Sequence, residues 1–365
     1  MSSLAAGGGV DDGLEPPGSD AAVTTVRIRA PQREAALGLR VGDLVEVRTR
    51  EEILATLDER GELDSLPFMP EMLAYCGRRF TVHKVAGKVC DTVTATGMRR
   101  MRSAVHLTGV RCDGEAHGGC ETGCLIFWKE AWLERVDAAG VDGRPHPDPG
   151  PARPTVADLH ARTRRPPEAD GEERFSCQAT ELRRAAPEPL PLRDLGQYVR
   201  DVRSGNVGVL AVFRAFLVGL FNRLQAASTR VLPRRLWFRR GLRWGFVEGT
   251  LKKTPTGRLD LRPGELVRVK PKAEIMRTLD VDLRNRGLGF EEEMARHCGR
   301  VVRVLRRVER CIDEGTGRML HMKSPCIVLE DTVCEGAYNA NCPRSIPSFW
   351  REIWLDRVTE PGAPG

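Results

Sequence analysis

Apolar and polar positions alternate in short runs along this chain, and the runs recur. Leu44-Val45-Glu46-Val47-Arg48 follows Gly42-Asp43 with period two, which predicts a half-buried strand after a tight turn. Glu51–Glu59 (EEILATLDE) then places Ile53 and Leu57 one helical turn apart and predicts a short helix. Phe80-Thr81-Val82-His83-Lys84 alternates again behind Cys76-Gly77-Arg78, and Val105-His106-Leu107 predicts a further strand. A final helical turn carries Trp128 and Trp132 into a short closing strand. The series returns 222 residues later without a gap. LRPGELVRVKP from Leu261 answers LRVGDLVEVRT from Leu39, and the pairing continues through Phe68 and Phe290, Cys76 and Cys298, and Asp91 and Asp313.

The repeat is clearest at its end. CDGEAHGGCETGCLIFWKEAWLERV (Cys112–Val136) returns as CEGAYNANCPRSIPSFWREIWLDRV (Cys334–Val358). Both copies keep two cysteines eight residues apart, then Phe-Trp, a basic residue, Glu, a gap of one, Trp-Leu and a final Arg-Val. A repeat this long implies two whole domains, since solenoid repeats run to about 20–50 residues. Short strands, one early helix, a Gly-Asp turn and a closing aromatic segment resemble a Src-homology-3-like small barrel. The pairing of FWKEAWL with FWREIWL resembles uncharacterised bacterial proteins built from two such units. The resemblance implies an α+β, mainly β fold of two tandem small barrels joined by a linker and a helical connector. It implies no activity, because such barrels host unrelated functions.

The pattern divides the chain into a disordered tail (1–22, no basic start or apolar run of a secretory signal), a first repeat (23–136), a Pro/Gly-rich linker (137–191), an apolar, Arg-rich helical connector (192–257), a second repeat (258–358) and a tail (359–365). The linker contains Cys177, which has no counterpart. The net charge of +7 is unevenly placed. Between Arg200 and Arg243 lie ten arginines and one acid, net +9, which leaves the remainder at −2. Any attraction to anionic lipid, nucleic acid or an acidic partner therefore acts through the connector, and the near-neutral repeats argue against a broad nucleic-acid groove. Val207–Phe221 is short for a membrane span and is interrupted by Arg214, which leaves a helix packed between the repeats, an interfacial helix or a true span as alternatives. A helix there aligns Arg203, Arg214 and Gln225 along one stripe. Arg234, Arg235, Arg239, Arg240 and Arg243, interleaved with aromatic residues, are candidates for anion or lipid contact.

Eleven cysteines without an export signal suggest a cytoplasmic chain whose thiols are buried, metal-bound or catalytic. Cys112, His117, Cys120 and Cys124 form a C-x4-H-x2-C-x3-C set in a glycine-rich loop, four ligands suited to tetrahedral zinc. Buried thiols and a redox or catalytic cysteine are the alternatives. At the repeat offset His117 becomes Asn339 and Cys124 becomes Ile346, so a second site needs Cys334 and Cys342 to recruit Cys298, Cys311 or Cys326. Cys76 and Cys90 are possible additional ligands in the first repeat. CDGEAH is similar to the CDGSH iron–sulfur motif but has two residues before the histidine, which makes an iron–sulfur cluster the less favoured cofactor. Trp128-x-x-x-Trp132 and Trp350-x-x-x-Trp354, with Glu130 and Glu352 between them, can form an aromatic platform for a ligand or peptide, or can plug the domain end. In the second case the glutamates are solvated or paired with Lys129 and Arg351. No nucleophile lies beside a recognisable base, and no phosphate loop follows a strand. The sequence thus predicts a binding or scaffold protein with a structural metal site, possible membrane-surface contact and no identified partner. The alternative is a metal- or thiol-dependent enzyme with the first repeat active and the second degenerate.

Overall fold

The chain enters the first repeat through β1 (Leu44–Val47), whose Val45 and Val47 are fully buried. Thr49 caps α1 (Arg50–Thr56) reciprocally with Glu52, the Thr49 amide donating to the Glu52 carboxylate at 2.8 Å. The short pair β2 (Glu62–Leu63) and β3 (Leu66–Pro67), a 3₁₀ turn at Pro70–Tyr75, β4 (Arg79–Val85), β5 (Lys88–Cys90), β6 (Met98–Arg100), β7 (Ala104–Leu107) and β8 (Trp128–Lys129) follow. A 3₁₀ turn at Glu130–Trp132 then leads into β9 (Leu133–Arg135). Five of these strands form an antiparallel sheet in the order β8-β7-β4-β1-β9, with Val45 opposite Phe80 on one side and Arg135 on the other. The computed structural model describes residues 37–136, 154–244 and 249–358. The expectations for the tails 1–22 and 359–365 and for residues 137–153 lie outside them.

Residues 154–190, expected as linker, are instead structured. They form α2 (Val156–Arg162), α3 (Gln178–Ala185) and β10 (Glu188–Leu190). Thr155 caps α2 reciprocally with Asp158, and Leu159, Cys177, Leu182 and Ala186 enter the core of the first repeat. The physical reason is apolar burial: these side chains, though widely spaced, close the lower side of a sheet too small to cover itself. Gln178 fixes the fit by accepting from the Phe127 amide at 2.8 Å and donating to the Pro67 and Phe127 carbonyls. β10 adds an edge to β6 and β5, making a separate three-stranded sheet. α4 (Gly196–Arg203) is held by a buried ion pair, Lys88 to Asp201 at 2.5 Å, and α5 (Val209–Val231) follows it. Breaking such a pair from one side costs about 3–5 kcal/mol.

The second repeat copies the first at the same offset. It contains β11 (Leu266–Val269), α6 (Lys272–Met276), β12 (Arg284–Asn285), β13 (Leu288–Gly289), β14 (Val301–Ile312), β15 (Met319–Val333), β16 (Pro347–Trp350), a 3₁₀ turn at Glu352–Trp354 and β17 (Leu355–Arg357). Its sheet runs β16-β15-β14-β11-β17, and Val267 faces Val302 and Arg357 as Val45 faces its partners. The difference lies in the hairpin. Positions that bend away as β5 and β6 in the first repeat continue here as one long pair, β14 with β15. The fold is mixed, with helices beside antiparallel strands, and more helical than the mainly β expectation because residues 154–203 contribute. Among the described residues neither five-stranded sheet closes into a barrel.

Each repeat is closed by its tryptophans. Trp128, Trp132, Trp350 and Trp354 are all wholly buried, with Phe68 edge-on to Trp132 at 5.2 Å and Phe290 edge-on to Trp354 at 5.4 Å. The platform expectation is therefore corrected: no ring face is open to a ligand. The glutamates are buried as well. Glu352 accepts from the Leu259 and Leu261 amides at 2.8 and 3.0 Å, and Glu130 accepts from the Gly38 amide at 3.1 Å, so each pins the segment entering its repeat. Lys129 pairs with Asp64, and Arg351 donates to backbone carbonyls, in place of the expected partners.

Two outcomes follow from this packing. The Trp132 and Trp354 indoles donate to Thr56 and Thr278 at 3.0 and 2.8 Å. Thr56→Val and Thr278→Val, each leaving a buried donor unpaired, lower unfolding stability by about 1–3 kcal/mol, to a similar extent in the two repeats, as read by chemical denaturation. His106, fully buried against Phe127 with Nδ1 2.9 Å from the Ile126 carbonyl, is pushed down to about 3 by burial. Its folded form stays neutral while the unfolded chain takes up a proton below about pH 6.5, so stability is lost as pH falls from there toward 3. In His106→Val, the residue of the second repeat (Val328), stability falls less steeply over that window, by up to about 1.4 kcal/mol per pH unit.

Candidate metal centre

The loop between β7 and β8 begins and ends on itself. Arg111 bridges Leu125, and the Cys112 amide donates to the Cys124 carbonyl at 2.9 Å. Inside it Gly114, at φ +77°, accepts from the His117 and Gly119 amides. A Cβ on Gly114 would stand 1.9 Å from the Cys120 carbonyl oxygen, so only glycine closes the loop this tightly. The second repeat builds the same turn on Gly336 with Asn339 and Asn341.

The turn aims His117 inward at Cys112, with Nε2 3.3 Å from the sulfur. Glu71, on the 3₁₀ turn Pro70–Tyr75, completes the group: Oε1 lies 3.4 Å from Cys112 Sγ and 3.8 Å from His117 Nδ1. These contacts use opposite nitrogens of the His117 ring, of which one can bind a given metal ion; taking one ligand atom from each residue, the three lie within 4.8 Å of one another. Two atoms of the group, Glu71 Oε2 and His117 Nδ1, are buried without a hydrogen-bond partner. Burial pushes the Glu71 carboxyl up to about 7 and the His117 imidazole down to about 4, and it drives the Cys112 thiol far above its ordinary range. Lack of solvent thus disfavours the charged form of all three groups, the condition that a bound cation reverses for the carboxyl and the thiol. Glu71, Cys112 and His117 form a cluster that can hold a metal ion.

Of the four ligands expected from sequence, the structure brings Cys112 and His117 together and leaves Cys120 and Cys124 outside the close group. Cys120 Sγ contacts the Thr122 hydroxyl and accepts from the Ile312 amide. Cys124 faces the same cavity of about 50 Å³ as Cys112, Cys120 and Cys177, and burial raises the Cys124 and Cys177 thiols to about 12. Glu71 and Cys177 were not anticipated. Glu71 has a signal in the repeat, because Glu293 occupies its counterpart and sits 3.4 Å from Cys334 Sγ. Cys177 has none, since its position depends on how α3 docks. Cys76 packs at the edge of the first core, and Cys90 donates its amide to Cys342 Sγ across the repeats at 3.2 Å.

The second repeat keeps the Glu293–Cys334 contact but carries Asn339 where the imidazole would be. Cys298 lies half-buried at its own core, Cys311 packs beside Cys120 and Phe175, and Cys326 is buried in β15. Among the described residues these cysteines assemble no second donor group. The connector arginines lie far along the chain from either loop. Arg234, Arg235, Arg240 and Arg243 are exposed, and Arg239 stacks on Trp244 at 4.7 Å. The expected stripe of Arg203, Arg214 and Gln225 does not form, because Arg203 ends α4 while the other two lie on α5: Gln225 is buried and donates to the Phe238 carbonyl at 2.5 Å, whereas Arg203 and Arg214 are exposed, Arg214 reaching the Tyr338 hydroxyl.

The ligand assignment predicts metal content. Full-length protein purified without chelator carries about one zinc per chain by elemental analysis; Cys112→Ser, Glu71→Ala and His117→Asn each reduce it at least severalfold, and Cys298→Ser leaves it unchanged. No protein-family model, curated protein or solved structure matches this chain.

Proposed function

We propose that this chain is a non-enzymatic binding or scaffold protein whose first repeat holds a structural zinc ion. The observation that carries the reading is the Glu71–Cys112–His117 cluster, with one ligand atom of each residue within 4.8 Å of the others, in which Glu71 Oε2 and His117 Nδ1 are buried without a hydrogen-bond partner. Leaving them unmatched costs free energy, whereas a divalent cation satisfies both and ionises the thiol. Zinc suits a mixed sulfur, nitrogen and oxygen set, whereas an iron–sulfur cluster asks for several thiolates. Cys120, Cys124 and Cys177 line the same cavity as the three donors and are the candidates for a fourth ligand.

Two further features support a structural role. His117 is 1% exposed, and the loop that carries it is covered by the second repeat. The cavity has room for water-sized molecules only. The competing reading is a metal-dependent enzyme with the first repeat active. It draws on the count of three close donors, because catalytic zinc keeps three protein ligands and an open position. For the repeats themselves we propose kinship with Src-homology-3-like small barrels. The strand order, and the 3₁₀ turn between the last two strands, support that reading over an unrelated meander.

Chelation separates structure from catalysis. Removing zinc from the full chain lowers the midpoint of thermal unfolding by roughly 3–5 °C, the shift expected when a ligand bound about 100-fold above its dissociation constant is withdrawn. The His117→Asn protein already unfolds at the lower midpoint and does not respond to chelator. An unchanged midpoint in the metal-free wild type overturns the structural assignment.

A further inference from the structure

We infer that α5 docks this protein flat on an anionic membrane surface, a role independent of the metal reading. Leu210, Phe213, Leu217, Leu220, Leu224 and Val231 follow three-and-four spacing, which lines them along one stripe of the helix. All are exposed, Leu210 by 85% and Val231 by 82%. Isolated exposed leucines are ordinary, but a continuous stripe of this length is not.

The opposite face is already occupied. Ala215, Val218 and Gln225 are buried, Phe216 packs edge-on against Tyr198 at 5.7 Å, and Gly219 faces Leu192 so closely that a Cβ would sit 3.0 Å away. Of the 23 residues, long enough and apolar enough to cross a bilayer, one side is therefore committed to the protein. The helix lies along a surface and presents its stripe outward.

Charge decides what covers it. From residue 202 to residue 247 the sequence has nine arginines and no acid. Arg223 and Arg230 flank the stripe, and exposed Arg234, Arg235 and Arg243 follow its end. A second copy of the same helix would bring arginines against arginines with no acid to meet them. Anionic headgroups meet that charge while the acyl boundary takes the leucines, each arginine near the surface strengthening binding about fivefold. Trp244, 41% exposed, and Phe238, 64% exposed, sit beside this end, where aromatic rings anchor an interface.

The test uses full-length protein with vesicles of phosphatidylcholine alone or mixed with phosphatidylserine, by co-sedimentation at near-physiological salt. The expected result is binding to the mixed vesicles at least tenfold tighter than to phosphatidylcholine. Leu217→Asp with Leu224→Asp abolishes it, and Arg234→Gln with Arg235→Gln weakens it on the order of 20–30-fold. Both pairs are exposed, so unchanged thermal unfolding confirms that the fold persists. Four of the six tryptophans are wholly buried, so Trp237 and Trp244 report contact, and brominated lipid quenches them in the wild type. Three results overturn the proposal: no binding to mixed vesicles, binding that survives both leucine substitutions, or a dimer dispersed by those substitutions in a protein that ignores vesicles.

Discussion

The desolvation of one loop is the constraint on which most of this structure depends. Cys112–Cys124 is pressed against the long β14–β15 hairpin of the second repeat. Arg306 donates to the Glu121 and Thr122 carbonyls at 3.1 and 2.8 Å, and the Glu121 carboxylate accepts from the Glu309 and Arg310 amides. Gly123 admits the Arg306 guanidinium to within 2.0 Å of where a Cβ would stand. With water excluded, a carboxyl, a thiol and an imidazole are left to satisfy one another, and geometry lets them do so only in part. Buried polar groups in that condition cost free energy until something pairs with them. A cation at their centre is the chemical answer that the donor types favour.

The duplication explains how the two repeats came to differ in work while keeping one architecture. Tryptophan closure, the threonine under each indole and the glutamate on each entry segment occur twice, in the same register. The Cys loops do not serve the same end. The second loop carries Asn339 in place of the imidazole and turns toward the first repeat. Cys342 accepts from the Cys90 amide, Arg344 donates to the Thr92 hydroxyl at 3.2 Å, and the Ser345 carbonyl accepts from Arg111. The first loop keeps its donors and takes cover from the second hairpin. One copy thus supplies the site and the other supplies its roof.

Much of this was legible in sequence, and the limits have physical causes. The repeat and its strand, helix and closure pattern follow from period-two and helical spacing, and the structure keeps the 222-residue offset at every shared element. Spacing singled out the candidate loop, but of its four residues the structure groups only Cys112 and His117, together with Glu71. Ligation depends on side chains brought together by the fold, and Glu71 lies 41 residues before Cys112. The segment 154–190 looked like linker because its charged and proline-rich composition hides the scattered core residues Leu159, Cys177, Leu182, Ala185 and Ala186. Its one local signal, Thr155 with Asp158 as a reciprocal cap, was present in Thr-Val-Ala-Asp. The aromatic pairs gave no clue to their burial from spacing alone, since a plug and a platform share it.

X-ray absorption at the zinc edge of the intact protein tests the central claim most directly. The account predicts a four-coordinate shell in which sulfur at about 2.3 Å stands beside lighter ligands at about 2.0–2.1 Å, in protein carrying one zinc per chain. A shell of oxygen and nitrogen only, or one of sulfur only, would contradict the assignment of Glu71, Cys112 and His117 as its ligands.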